Sequence, residues 1–132
     1  HAGYNLKEYI KDFLINKNVS IIDLGPINEN SVDYPDYAKK VSKRVKSKKS
    51  DAGILVCGSG TGMAISANKT KGIRASVCYN LKSTRLSRQH NDANIIALGS
   101  RLTKRKTAIK LVSIFFETKF EGGRHLRRVK KI

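Results

Sequence analysis

Cys57 stands where an apolar run, Gly53-Ile54-Leu55-Val56, gives way to the alternating glycines of Gly58-Ser59-Gly60-Thr61-Gly62-Met63. A thiol at the mouth of a glycine loop can serve as an acid or base, as a nucleophile, or as a redox group. Each role needs positive potential near the sulfur, from a cation or a helix N-terminus, to favour the thiolate. The second candidate is His90, in Gln89-His90-Asn91-Asp92-Ala93-Asn94. An imidazole titrates near neutrality, at about pH 6.5 when unperturbed, and so can give or take a proton there. A lone cysteine or histidine more often only packs or hydrogen-bonds locally. The glycine loop beside Cys57 and the polar neighbours of His90 favour chemistry.

The local pattern supplies a scaffold for both residues. Residues 53–56 have the length and composition of a buried parallel strand, and residues 63–68 are apolar and helix-compatible, so strand, glycine turn and helix form half of a βαβ unit. In such a unit the backbone N–H groups of the turn and helix N-terminus favour negative charge, and glycine lets a ligand approach the main chain. Elsewhere the periodicity predicts helices over residues 6–15, 35–45, 81–90 and 104–117, and strands over 19–24, 54–57, 73–78 and 94–98. Ala108, Leu111, Val112, Phe115 and Phe116 recur at core-facing intervals in the last helix, and residues 119–132 read as a polar tail. This alternation predicts an α/β fold, a three-layer α/β/α Rossmann-like domain with helices on both faces of a parallel sheet. His90, between a helix and the last strand, is expected at a surface cleft.

A length of 132 residues, 39% of them hydrophobic, suits one domain with its own core, needing neither disulfide nor metal for stability. The two cysteines, Cys57 and Cys78, each close a predicted strand and lack metal-type spacing, so a reducing cytosol is the expected setting. No apolar run approaches the roughly 20 residues of a membrane span, and no membrane association is expected. The formal charge of +17 raises nucleic acid as a partner. Its lysines, however, fall in helix-like stretches such as Lys39-Lys40, Lys43-Arg44 and Lys104-Arg105-Lys106, with few aromatics among them. Solvated faces are the better reading, and part of the charge could attract a phosphorylated substrate.

Several segments in the same order and at compatible spacing resemble the ribose/galactose isomerase family. They are His1-Ala2-Gly3-Tyr4-Asn5-Leu6-Lys7, Asp33-Tyr34-Pro35-Asp36-Tyr37-Ala38, the Cys57 loop, Gly72-Ile73-Arg74-Ala75, Leu86-Ser87-Arg88-Gln89-His90-Asn91-Asp92, Leu98-Gly99-Ser100-Arg101 and Phe120-Glu121-Gly122-Gly123-Arg124-His125. The resemblance runs nearly end to end. It implies a five-stranded parallel sheet whose first strand, with an aspartate, would lie just before His1.

The resemblance also implies a metal-independent, cofactor-free aldose–ketose isomerisation of ribose 5-phosphate and ribulose 5-phosphate through a cis-enediolate. On that reading His90 opens the sugar ring and Cys57 carries the proton between C2 and C1. Backbone N–H groups around Gly58, Ser59, Gly60, Thr61 and Gly62 stabilise the enediolate, and the Ser59 hydroxyl relays a proton between its oxygens. Some members carry a glutamate base further along this loop; Met63 holds that place here, so the cysteine is the expected base. Arg101, Arg124 and Arg128, with His1, are implied to bind the phosphate, Tyr34 to border the sugar and Asn91 to hydrogen-bond its hydroxyls, while His125 and Arg127 are left as structural. The family site is shared between subunits, with His90 and Arg101 reaching the neighbour's Cys57 loop. A homodimer is therefore the least assembly expected to function, a tetramer the larger option. Six-carbon sugar phosphates, allose or galactose 6-phosphate, are the alternative substrates; nucleic-acid binding is the remaining, charge-based alternative.

Overall fold

Every residue of one strand, β3 (Ile95–Gly99), is buried, as a central parallel strand covered on both faces must be. Around it a computed structural model, describing residues 1–132, arranges α1 (Tyr4–Asn16), α2 (Tyr34–Lys46), β1 (Gly53–Cys57), α3 (Thr61–Asn68), β2 (Ala75–Val77), α4 (Leu81–Asn91), α5 (Arg105–Glu117) and α6 (Gly123–Val129). The sheet is parallel, in the order β1-β3-β2. Side chains alternate across β3. Ile96 and Leu98 join a core with Leu6, Ile10 and Leu14 of α1 and Ala108, Leu111, Val112 and Phe115 of α5. Ile95 and Ala97 join a second core with Ala38 and Val45 of α2 and Met63, Ala64 and Ala67 of α3. Three layers follow from that alternation, as the Rossmann-like expectation required.

The basic run of α2 lies on its outer side: Lys39, Lys40, Lys43 and Lys46 are exposed while Ala38, Ser42 and Val45 are buried. Pro35 opens the helix and Lys43, Arg44 and Lys46 occupy its last turn, where cations complement the helix dipole. No helix is long and apolar enough to cross a membrane.

Four expectations are corrected. Residues 1–132 contribute three strands to the sheet where four were expected of them, because residues 19–24 form none. A strand exists through a hydrogen-bonded neighbour, and residues 19–24 do not pair with β1. Between the outer edge of β1 and residues 19–24 lies a cavity of about 360 Å³ lined by Ile10, Leu14, Val19, Ile21, Ile54 and Val56 among others. The strand expected over 73–78 shortens to β2, because Asn94 Oδ1 accepts from the Arg74 N–H and Asn68 Oδ1 from the Ala75 N–H, replacing ladder partners at its start. Phe116 is 46% exposed: neighbouring helical positions diverge by about 100°, and Phe115 takes the core side. Finally, the polar tail folds in part into α6, which packs on α4.

Residues 19–24 are held by charge at one point. Lys7 and Lys11 of α1 pair with Asp23 at 2.6 and 3.1 Å, and both also bind Glu8. Partial burial pushes the Asp23 carboxyl up, but hydrogen bonds from Lys7, the Gly25 N–H and Lys11 outweigh it and leave it below its ordinary range. Glu8 is lowered by Lys11 and Lys7. Carboxylates depressed in the folded state contribute stability that is present above their unfolded pKa of about 4 and is lost as pH falls through the folded values. Asp23→Asn is expected to flatten that acid limb and to cost about 0.5–1 kcal/mol at neutral pH, as measured by urea denaturation across the acid range.

Candidate active site

β1 delivers Cys57 to the C-terminal edge of the sheet, where the chain turns into α3 through Gly58, Ser59 and Gly60. Gly60 takes a left-handed conformation, φ +82°, that side-chain-bearing residues rarely adopt, and a Cβ there would meet the Leu98 carbonyl carbon at 3.0 Å. The turn brings the Gly60 N–H back onto the Cys57 sulfur at 3.1 Å, setting a donor and the start of α3 against it. Thr61 N–H donates to the Ser59 hydroxyl at 3.3 Å. The N–H groups of Gly58, Ser59 and Gly62 donate to no acceptor in the fold. They form a set of free donors suited to a developing oxyanion.

The loop is tied to the end of β3. Cys57 and Gly58 carbonyls accept from the N–H groups of Ser100 and Arg101 at 2.8 and 3.0 Å. A Cβ on Gly58 would lie 3.1 Å from Arg101 Nη1, so the guanidinium rests against the bare glycine backbone. Arg101 thus belongs to the Cys57 side of its own chain instead of reaching across to a neighbour's loop. Tyr34 packs its ring onto Gly62, where a Cβ would come within 2.6 Å of Cζ. At the front of the chain, Gly3 lies against the Val56 carbonyl, and the Ser100 hydroxyl donates to the Ala2 carbonyl at 2.7 Å, which brings His1 to the same place. His1, Tyr34, Cys57, Gly58, Ser59, Gly62 and Arg101 line a cavity of about 350 Å³, with Ala2, Val32 and Leu102 completing it. That volume suits a small ligand. Sequence reasoning missed these last three and Ser100, whose contact spans 98 residues and leaves no spacing signal.

Gly99 constrains the loop through its backbone. A Cβ there would lie 2.7 Å from the Ser59 carbonyl carbon and oxygen, which are backbone atoms that cannot swing aside. Gly99→Ala is expected to displace the Cys57 loop and cost about 1–3 kcal/mol, visible as a lowered Tm.

The remaining candidates lie at the other end of the sheet. His90 and Asn91 close α4, just before β3 begins, whereas Cys57 pairs in register with Gly99, the last residue of β3. At about 3.3 Å per residue, the length of β3 alone separates the two ends by about 13 Å. Arg74 donates to the carbonyls of Asn91 and Asp92, both at 3.0 Å, and Arg88 pairs with Asp92 at 3.1 Å. Asp92 itself takes the left-handed C-cap position, φ +46°. These contacts fix the end of α4 that carries His90. Its ring stacks on His125 of α6, and Arg124 and Arg128 stand exposed one turn apart on that helix.

His90, Glu121 and His125 are the one grouping of metal-type ligands, their donor atoms within 4.8 Å of each other. A shared metal must lie in the plane of each imidazole, and rings inclined by 11° at 4.2 Å centroid separation direct their lone pairs along nearly parallel planes. The arrangement suits proton handling better than coordination.

A Rossmann-like sheet with a thiol and free N–H donors at one end, and imidazole and guanidinium groups at the other, suits the chemistry of a sugar-phosphate isomerase. Residues 1–132 match the Ribose/Galactose Isomerase family, and the chain belongs to it. It is 44% identical to ribose-5-phosphate isomerase B of Escherichia coli over 132 residues, 100% of this chain and 89% of that one. Ribose-5-phosphate isomerase B of Clostridium thermocellum superposes with a TM-score of 0.98 at 50% identity, covering 99% of this chain and 88% of that one. The Mycoplasma genitalium enzyme, solved with bound ribulose 5-phosphate, gives a TM-score of 0.91 at 42% identity, covering 96% and 85%.

Proposed function

We propose that this chain is a ribose-5-phosphate isomerase whose active site joins the Cys57 cavity of one subunit to the His90 end of another. One observation carries the chemistry: Cys57 lines a cavity with Gly58, Ser59 and Gly62, whose N–H groups are unpartnered, while Met63, buried at the start of α3, cannot accept a proton. Cys57 takes the C2 proton of the open-chain aldose, electrons move onto O1 to give the enediolate, and the proton returns at C1. Free N–H groups of Gly58, Ser59 and Gly62 carry the oxygen charge, and the Ser59 hydroxyl moves the proton between O2 and O1. Arg101 and His1 bind phosphate from the cavity's own chain. The partner's Arg124 and Arg128 supply further forked donors to the phosphate, the partner's Asn91 a hydroxyl contact, and the partner's His90 opens the ring. Tyr34 borders the sugar.

The distance between the two ends of the sheet supports a homodimer: a single chain does not bring His90 to its own Cys57, and a two-fold axis would pair each end with its complement twice. Both cysteines are free, which accords with action in a reducing cytosol. The test is proton NMR of ribose 5-phosphate in heavy water with the purified protein. Ribulose 5-phosphate should accumulate with exchange at the migrating proton; a folded protein giving neither product nor exchange rejects the proposal. The same assay with allose 6-phosphate compares kcat/KM and separates five- from six-carbon preference.

A further inference from the structure

His125 reads as structural in the sequence, yet its ring lies on that of His90 with centroids 4.2 Å apart and planes 11° apart. Its side chain is only 12% exposed, and Glu121 Oε2 lies 3.5 Å from its Nε2. The Glu121 N–H donates to the Gln89 carbonyl at 3.1 Å, so the acid is anchored beside the end of α4 that carries His90. The groups facing His125 are His90 from α4, Arg124 and Arg128 from α6, and Glu121 just before it. Three of these four carry or can acquire positive charge.

Two imidazolium ions face to face at this distance repel strongly, so simultaneous protonation of both rings is disfavoured. Desolvation, then His90 and Arg124, push the His125 imidazole below its ordinary range, against the smaller opposing pull of Glu121.

We infer that His125 is a positioning residue for ring opening: its ring stacks on His90, fixes that ring's orientation and so sets the direction in which His90 presents its proton to the sugar. The inference rests on the proposed role of His90. In that step His90 gives its proton to the ring oxygen O4 as the C1–O4 bond breaks, the O1 proton leaves to water, and C1=O1 forms. Water reprotonates His90. Ribulose 5-phosphate has no free hydroxyl with which to close a furanose ring, so removal of its C1 proton needs no ring opening.

That difference provides the test. His125→Ala is expected to lower kcat on ribose 5-phosphate by about tenfold or more while KM changes little and exchange of the C1 proton of ribulose 5-phosphate in heavy water keeps its parental rate. His125→Phe, which preserves the stack, should regain at least half of the lost turnover. By NMR titration, His125 in the His90→Asn protein should titrate at higher pH than in the parent. Parental turnover in His125→Ala, equal loss of turnover and exchange, no recovery in His125→Phe, or an unmoved His125 titration would overturn the inference. A parent protein without isomerase activity would instead reject the function, while the titration would still report whether the rings are coupled.

Discussion

Cys57→Ala is expected to reduce isomerisation of ribose 5-phosphate by about 10²–10⁴-fold, the range for removing a positioned acid or base, with substrate affinity nearly retained. The reason is local. Met63 cannot replace the sulfur as a base, and the hydroxyls of Ser59 and Thr61 are too weakly basic to take a carbon-bound proton at neutral pH. The groups proposed to bind the phosphate lie on other elements: Arg101 follows β3, and Arg124 and Arg128 belong to α6. Binding and proton transfer are therefore separable, and the loss should fall on kcat. The alanine fits without strain because the loop is held by Gly60 and by the Ser100 and Arg101 N–H groups, not by the thiol alone. Near-parental kcat would remove Cys57 from the mechanism.

The second large effect is recovery of activity from two inactive proteins. Cys57→Ala and His90→Asn each damage a different half of the site. In a dimer with shared sites, a mixed pair contains one doubly damaged site and one intact site. After unfolding and co-refolding at equal amounts, half of the dimers are mixed and half of their sites intact, so about a quarter of parental activity should return. Separately refolded controls should stay inactive. No recovery, with mixed dimers verified by mass, would mean that each chain assembles its own site, in conflict with the placement of Cys57 and His90 at opposite ends of β3.

Much of the fold is legible in the residues themselves. The run from Gly53 to Cys57 followed by alternating glycines specifies strand, turn and helix, and Gly60 at φ +82° is where that turn needs glycine. α5 follows from the spacing of Ala108, Leu111, Val112 and Phe115, although the adjacent Phe116 faces outward because a helix cannot turn consecutive residues to one side. Residues 19–24 read as a strand because their apolar content describes a half-buried segment, but content does not provide a hydrogen-bonding neighbour. The last residues read as polar tail because α6 is short and its contacts are with α4, far back in the chain.

The candidate site divides the same way. The chain by itself determined that a cysteine would stand at a strand end over a glycine turn, a property of neighbouring residues, while the phosphosugar roles of its arginines and His90 came from the resemblance to the isomerase family. Tertiary structure decided the rest. It put Arg101 against Gly58, brought His1 to Cys57 through the Ser100 hydroxyl, and stacked His125 on His90. It also separated Cys57 and His90 by the length of a strand, because parallel strands carry successive loops to opposite ends of the sheet. Local spacing specifies which groups exist, but only the packing of distant elements specifies which of them meet.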